Sequence, residues 1–483
     1  MTDPSDRSEP IPFDLSPEEM RKLGYDVIDR IVEHFETVRE QRVTQKITRA
    51  DARARFAELP PEHGADAASI VRETVEGVLA NAMRLDHPRF FAYIPSPHNY
   101  VSVLAEALVA GFNPFGGTWQ AASGPTSIEL LTIEWLRRLV GLPESAGGIF
   151  VSGGSMANLL GLALARHARA GGVTKDSVVY TSDQTHSSID RGLRTLGFAD
   201  DQLVKVESDD AFRIRVDALE AAVAEDRAAG RRPLAVVANA GTTSTGSVDP
   251  IARLADLCDR EGLWLHADGA YGLAAVLSDE GRRDLEGIER VDSCSFDPHK
   301  WWFQPIETAC LLVRDGAGLR DAFRILPAYL EDTQGAEEEV NLCDYGVQLT
   351  RTSARALKLW MSIKTFGLAD FRRAIDRGLE LARHAEARID ASPRWEVVSP
   401  ARLGIVAFRY LPDGTGREDP ADLHAEIVKE VYREGFAMLS STVLAGRPAL
   451  RLCTINPRTT EDDIDRTLAH LETVAARILA RPA

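Results

Sequence analysis

The chain has 483 residues, 44% of them apolar, and a formal net charge of −17, enough to bury large cores in an enzyme-sized protein of two or three structural units. That charge argues against nucleic-acid partners and anionic membrane surfaces, because phosphate-rich partners would be repelled. Cys258, Cys294, Cys310, Cys343 and Cys453 show no CxxC spacing, residues 1–12 lack the apolar core of a signal peptide, and no run approaches membrane-spanning length, so a cytoplasmic protein with reduced thiols is expected.

Ser16-Pro17-Glu18-Glu19 has the form of a capping box with proline in the first turn, which predicts a helix starting there. Leu23, Val27, Ile31, Phe35 and Val38 recur at helical spacing and make one apolar face. Residues 1–85 hold too few apolar positions for a core of their own, so that face is expected to be buried against a second subunit. Residues 50–67, with Pro60-Pro61, read as a loop between helices. His87-Pro88-Arg89-Phe90-Phe91-Ala92-Tyr93-Ile94-Pro95-Ser96 is too dense in proline and aromatics for a long helix.

From residue 149 to 313 short apolar runs alternate with amphipathic helical patterns, and 177–180, 203–206, 234–238, 263–266, 293–296 and 309–313 read as strands. This alternation predicts a doubly wound, mostly parallel α/β sheet covered on both faces, with ligands at the carboxyl ends of its strands. Three features fall at such ends. Val151-Ser152-Gly153-Gly154-Ser155-Met156-Ala157-Asn158 is a glycine turn opening a helix, where free N–H groups and a positive dipole end favour a phosphate. His266-Ala267-Asp268-Gly269-Ala270-Tyr271-Gly272 ends a strand in a carboxylate and small residues; such an Asp can hold a heteroaromatic ring nitrogen protonated while its small neighbours admit a flat ring. Ser295-Phe296-Asp297-Pro298-His299-Lys300-Trp301-Trp302 sets Lys300 between a histidine and two tryptophans, where a partly desolvated amine serves as a nucleophile toward carbonyls.

A lysine alone is more often a solvated surface charge. Lysine, carboxylate and phosphate cradle together describe a pyridoxal phosphate pocket. Gly241-Thr242-Thr243-Ser244-Thr245-Gly246-Ser247 lacks the lysine of a nucleotide-binding loop, and His266-x-Asp268 has no third ligand at suitable spacing, so neither a nucleotide nor a metal is expected.

Residues 331–346 are acidic and read as a solvated loop that also has the weak packing of a lid. A long helix is predicted from Arg355. After Phe371 a helical stretch is followed by strands at 395–398, 404–409, 436–439 and 449–454, with helices at 421–434 and from Asp462, which predicts a small α/β unit. The expected division is 1–85 as an N-terminal helical dimerisation segment, 86–370 as a large cofactor-binding domain and 371–483 as a small C-terminal domain.

The segments 153–158, 183–188 (Asp183-Gln184-Thr185-His186-Ser187-Ser188), 266–272 and 297–301, in this order and spacing, resemble the group II pyridoxal-phosphate amino-acid decarboxylases. Within that group the chain is most similar to the aromatic-L-amino-acid decarboxylases, from about Ser16 to the final helix. The resemblance implies a fold-type I, aminotransferase-like α/β enzyme, homodimeric, with N-terminal helices wrapped over the partner. It implies pyridoxal 5'-phosphate as cofactor, with Lys300 as its Schiff-base residue, Asp268 at the ring nitrogen, and His186 stacked on the ring opposite Ala270. Gly154 and Ser155 would take the phosphate, and Thr243 and His299 would lie beside the cofactor. Tyr93, Pro95 and Ser96 would line the substrate pocket, Ser96 near the carboxylate, with residues 112–115 and 119–123 completing the wall from either subunit.

Tyr329, in Leu326-Pro327-Ala328-Tyr329-Leu330, matches a lid tyrosine that protonates Cα; relatives with Phe there tend to be aldehyde synthases. Arg351 matches a conformationally supporting position. Arg451 is open between a carboxylate contact and structural pairing. Asp297 stands where members of the family often carry Asn, and a carboxylate there would repel a phosphate unless it points elsewhere. The implied reaction is decarboxylation of an L-amino acid, aromatic by preference, to the amine. The alternatives are a glutamate or 2,4-diaminobutyrate decarboxylase and an oxidative aromatic aldehyde synthase. A cofactor-binding scaffold without chemistry is disfavoured by Lys300, Asp268 and His186 together.

Overall fold

The computed structural model describes residues 15–172, 174–333, 335–336, 338–352, 354–411 and 423–481. Its larger sheet holds seven strands: β1 (Gly147–Val151), β2 (Ser177–Ser182), β3 (Leu203–Val206), β4 (Arg232–Asn239), β5 (Trp264–Asp268), β6 (Ser293–Phe296) and β7 (Ala309–Val313). They are ordered β1-β7-β6-β5-β4-β2-β3. β7 runs antiparallel to both of its neighbours, and all other pairs are parallel. The sheet is therefore mostly parallel, as its alternation with helices predicts.

Period-two packing explains why these strands read as continuous apolar runs. Val178 and Tyr180 of β2 enter one core while Val179 enters another, and in β4 Val236 and Ala238 oppose Ala235 and Val237 in the same way. Both faces are covered, so no polar alternation survives. Three strands have the expected bounds, β2 and β4 are longer by two and three residues, β5 starts one residue later and ends two later than expected, and β1 is an additional strand that the short glycine-rich run 147–151 does not announce.

The smaller sheet is antiparallel, ordered β10-β11-β9-β8, from β8 (Trp395–Arg402), β9 (Ile405–Tyr410), β10 (Ser440–Leu444) and β11 (Arg447–Cys453). The strand expected at 436–439 is not formed. Met438 is used instead as an isolated parallel bridge to Phe90, with Met438 N–H on the Arg89 carbonyl at 3.0 Å and Phe91 N–H on the Met438 carbonyl at 2.8 Å. The pairing strand starts at Ser440, fixed by the two-residue turn Ala445-Gly446, both at positive φ (48° and 75°), the conformation a tight hairpin requires. The long helix Arg355–Asp390, kinked at Gly367, ties the two sheets together. Its first half supplies Leu359 and Ile363 to the large core, and its second half supplies Leu381, Ala385 and Ile389 to the small one.

The N-terminal helix Pro17–Thr37 begins with the expected capping box between Ser16 and Glu19. It contains no buried residue and leaves Met20 and Tyr25 exposed. The loop expected over 50–67 is partly helical. Thr48 caps a helix Arg49–Phe56 by accepting from Asp51 N–H, and only residues 57–66 are irregular. No described helix is long and apolar enough to cross a membrane.

Candidate active site

The carboxyl ends of β1, β2, β4, β5 and β6 converge on one cavity of about 370 Å³. Lys300, Asp268 and His186 all line it. So do Gly154, Ser155 and Ala270, and so do Thr243, His299 and Tyr93.

At the cavity floor Asp268 ends β5 and is largely buried. Its Oδ2 accepts from Asn158 Nδ2 at 2.9 Å, and its Oδ1 accepts from Ala270 N–H and from Ser295 Oγ, both at 3.2 Å. Three donors thus hold this one carboxylate in place. Asn158 lies one helical turn beyond Gly154 in the helix Gly154–Ala170, so the face that opens toward a phosphate also reaches Asp268.

The start of that helix fits closely against its surroundings. A Cβ added at Gly154 would lie 2.7 Å from Asp297 Oδ2, 2.9 Å from Asp297 Oδ1 and 2.9 Å from Ala270 Cβ. Only glycine lets the helix end, with its free N–H groups, reach the cavity there. Asp297 is 1% exposed, its Oδ2 lies 2.9 Å from Lys300 Nζ, and its Oδ1 has no hydrogen-bond partner. The carboxylate thus points at the lysine and the helix end, and Lys300 compensates its charge.

His299 Nδ1 accepts from Thr308 N–H at 3.2 Å, which leaves its Nε2 facing Asp297 Oδ2 at 3.6 Å. Burial pushes His299 below the usual imidazole range, against the pull of Asp297. Behind the wall Trp301 and Trp302 are fully buried, and Tyr271 stacks on Trp301 with centroids 6.2 Å apart.

Tyr93 stands at the rim, 54% exposed and at positive φ, its carbonyl held by Arg451 Nη1 at 2.6 Å. Ile94 joins it on the cavity surface. Pro95 and Ser96 are buried and are not part of the lining. Ser96 Oγ instead donates to the His299 carbonyl, tying the 93–96 segment to the lysine motif. Phe112 and Phe115 are exposed. Arg351 is buried, its Nη2 on Glu129 Oε1 (2.8 Å) and Oε2 (3.0 Å) and on the Phe150 carbonyl (2.9 Å), so it braces β1 beside the glycine turn. The backbone of Tyr329 lies in the 3-10 turn Ala328–Thr333; its side chain falls outside the described residues.

Sequence reasoning left Asn158, Ser188, Asn239 and Ser295 without a role, although the first three line the cavity and Ser295 binds Asp268. The position of Asn158 four residues after Gly154 was the available signal. The other three emerge only when strand ends are brought side by side.

A carboxylate at the floor, a helix end opposite Ala270, a lysine amine and an imidazole in one cleft match the groups a pyridoxal phosphate needs. The fold and site are those of a fold-type I pyridoxal-phosphate enzyme. The signature of the pyridoxal-dependent decarboxylase conserved domain matches residues 52–411. An aromatic-L-amino-acid decarboxylase of Bacillus atrophaeus is 45% identical over 466 residues, spanning 96% of this chain and 97% of that protein. A phenylacetaldehyde synthase of Arabidopsis thaliana is 28% identical, spanning 93% of this chain and 94% of that one. The crystal structure of Oryza sativa TDC with PLP and tryptamine superposes with a TM-score of 0.91 at 28% identity, covering 97% of this chain and all of that one. The chain belongs to the pyridoxal-dependent decarboxylase family, and it is a carboxy-lyase that uses pyridoxal phosphate.

Proposed function

We propose that this enzyme removes the α-carboxylate of an aromatic L-amino acid as CO2 and releases the amine, working as a homodimer in the cytoplasm. The observation that carries the substrate class is the 45% identity to the Bacillus atrophaeus enzyme over 96% of the chain. Tyr93 and Ile94 at the cavity surface fit this reading, since they offer an aromatic and an apolar wall to a flat side chain. The exposed Met20 and Tyr25 of the N-terminal helix fit a second subunit as their cover.

Bound pyridoxal phosphate supplies a carbonyl carbon for an amine and a pyridinium ring that takes up the electron pair left by CO2. The protein supplies binding, orientation and proton handling. Lys300 is the residue whose amine would hold the cofactor. Asp268 keeps a proton on the ring nitrogen. Gly154 and Ser155 would take the phosphate at their helix end, with Thr243 and His299 beside the cofactor. His186 would cover the ring opposite Ala270 and orient the substrate, whose side chain would meet Tyr93 and Ile94. The Tyr329 phenol returns a proton to Cα once the segment 331–346 closes and excludes water.

The test is a CO2-release and product screen over Trp, Tyr, Phe, 3,4-dihydroxyphenylalanine, His, Glu and 2,4-diaminobutyrate. An aromatic preference with amine as product is expected. Preference for Glu or 2,4-diaminobutyrate would overturn the substrate class. Aldehyde with peroxide in place of amine would move the enzyme to the reaction class of the Arabidopsis relative.

A further inference from the structure

Behind the cavity a hydrogen-bond chain crosses four elements, β5, β6 and the helices Gly154–Ala170 and Ser188–Thr195, and ends at His186. Trp264 Nε1 lies 2.9 Å from Ser293 Oγ, and Ser293 Oγ lies 2.8 Å from His266 Nδ1. His266 Nε2 lies 3.0 Å from Asn158 Oδ1. Asn158 Nδ2 divides between Asp268 Oδ2 at 2.9 Å and Ser188 Oγ at 3.0 Å. Ser188 Oγ lies 2.9 Å from His186 Nδ1, and Ser188 N–H reaches the same nitrogen at 3.2 Å.

The proton direction is set at both ends. An indole N–H can only donate, so Ser293 Oγ accepts from Trp264, and its own proton has His266 Nδ1 as acceptor. Were the His266 proton on Nδ1 instead, the buried Ser293 hydroxyl would be left without an acceptor, which costs free energy. His266 is fully buried, which pushes it down to about 4, so it stays neutral and its single proton lies on Nε2. That N–H meets the Asn158 oxygen and turns the amide nitrogen toward the Asp268 carboxylate. The same orientation is required from the other side, because a carboxylate only accepts. Ser188 Oγ then accepts from Asn158 and donates to His186 Nδ1, where the Ser188 N–H donates as well. Two donors on Nδ1 leave the imidazole proton on Nε2.

The packing is shaped around this chain. A Cβ at Gly161 would lie 2.7 Å from both Cε1 and Nδ1 of His266. The helix Gly154–Ala170 therefore carries a residue of poor helix propensity at the one turn that must pass over the His266 ring.

We infer that His266 and Asn158 are positioning residues: through them Trp264 and Ser293 fix His186 as the tautomer that offers an Nε2–H donor to the cavity, while the same amide holds Asp268 in place. The inference rests on the proposed role of His186 against cofactor and substrate. It assigns two functions to one side chain, because Asn158 orients the group at the ring nitrogen and the group over the ring face together. His266 acts only through Asn158.

The branching makes the two arms separable. His266→Phe removes the donor that sets the Asn158 amide, so cofactor Kd, read by absorbance titration of the cofactor-free protein, is expected to rise and kcat to fall. Each change is expected at about 10–100-fold, the range seen when partners that orient ligands at metal sites are removed. His266→Gln places an amide N–H2 near the lost Nε2–H and is expected to recover most of both. Ser188→Ala removes the hydroxyl that links Asn158 to His186 and leaves the Ser188 N–H on Nδ1, so kcat is expected to fall with cofactor Kd within about twofold of wild type.

Nitrogen-15 solid-state NMR of histidine-labelled, cofactor-free protein reads the tautomer directly, with His186→Gln identifying the signal. A neutral Nε2–H form at His186 is expected. An Nδ1–H form there, or His266→Phe with wild-type cofactor Kd and kcat, would overturn the inference. Should His266→Phe fail to fold, the Ser188→Ala split and the tautomer decide it: equal loss of Kd and kcat in Ser188→Ala would overturn it as well. Unchanged kcat in His186→Gln would instead overturn the role of His186 itself, a result distinguishable from a wild-type-like His266→Phe beside an impaired His186→Gln.

Discussion

Gly154→Ala is the smallest change that tests the geometry of the phosphate end. The added Cβ would have to share space with three atoms at 2.7, 2.9 and 2.9 Å, two of them the oxygens of Asp297. Ordinary carbon contacts lie near 3.5–4.0 Å, so the helix end or the carboxylate must move by most of an ångström. Asp297 is buried and paired with Lys300, so it cannot swing into solvent. Overpacking of this kind costs about 1–3 kcal/mol, and because the displaced groups are the cradle itself, the loss should appear in cofactor binding as a roughly 5- to 150-fold rise in Kd.

The assay is titration of cofactor-free protein followed by absorbance, beside thermal melts. Gly318→Ala is the control, since a Cβ there meets nothing within 4 Å and the position lies in the helix Ala317–Phe323, where alanine is the better residue. A Gly154→Ala protein that binds cofactor as tightly as wild type would refute the reasoning that this turn is closed by Asp297 and Ala270.

Asp268→Ala is expected to weaken cofactor binding and cut turnover far more than it lowers the melting temperature, because the ring nitrogen loses its counter-charge; near-normal turnover would give the strand-end carboxylate another role. Glu129→Ala leaves the buried Arg351 guanidinium uncompensated and is expected to cost about 3–5 kcal/mol in denaturant unfolding, with Glu129→Leu/Arg351→Met recovering much of it; a loss below about 1 kcal/mol would mean water reaches the pair. Burial holds His266 at about 4 when folded against 6.5 when free, so the unfolded chain binds the extra proton between those values. Stability from this residue is then present above about pH 6.5 and lost on acidification, at up to about 1.4 kcal/mol per pH unit, and the wild-type minus His266→Gln difference should show that slope. Tyr329→Phe is expected to keep cofactor and CO2 release but to shift product from amine toward aldehyde, ammonia and peroxide; equal amine yield from both proteins would remove the phenol as proton donor.

The sheet was legible because a parallel strand buried on both faces has no polar positions, so its apolar run stands out from the helices around it. The glycine turn, Asp268 and Lys300 were legible because each ends or follows such a strand, where α/β folds place ligands. β1 was harder to see, since Gly147 and Gly148 carry no side chains to mark it. Met438 could not be foreseen as a bridge to Phe90, because that pairing joins segments 348 residues apart. The orientation of Asp297 needed the approach of the Gly154 helix end, the role of Ser188 needed Asn158 of that helix beside it, and that of Ser295 needed β5 and β6 to be paired. Ser96 illustrates the converse: Tyr93 and Ile94 just before it reach the cavity, while its hydroxyl turns away to the His299 carbonyl.

In the proposed reading everything at the site turns on Lys300 carrying the cofactor in this pocket. Borohydride reduction of the purified holoprotein, followed by peptide mapping, tests it directly. One phosphopyridoxyl label is expected, on Lys300 in the peptide that also contains Asp297 and His299. A label on another lysine, or cofactor released unmodified from the reduced and unfolded protein, would contradict it.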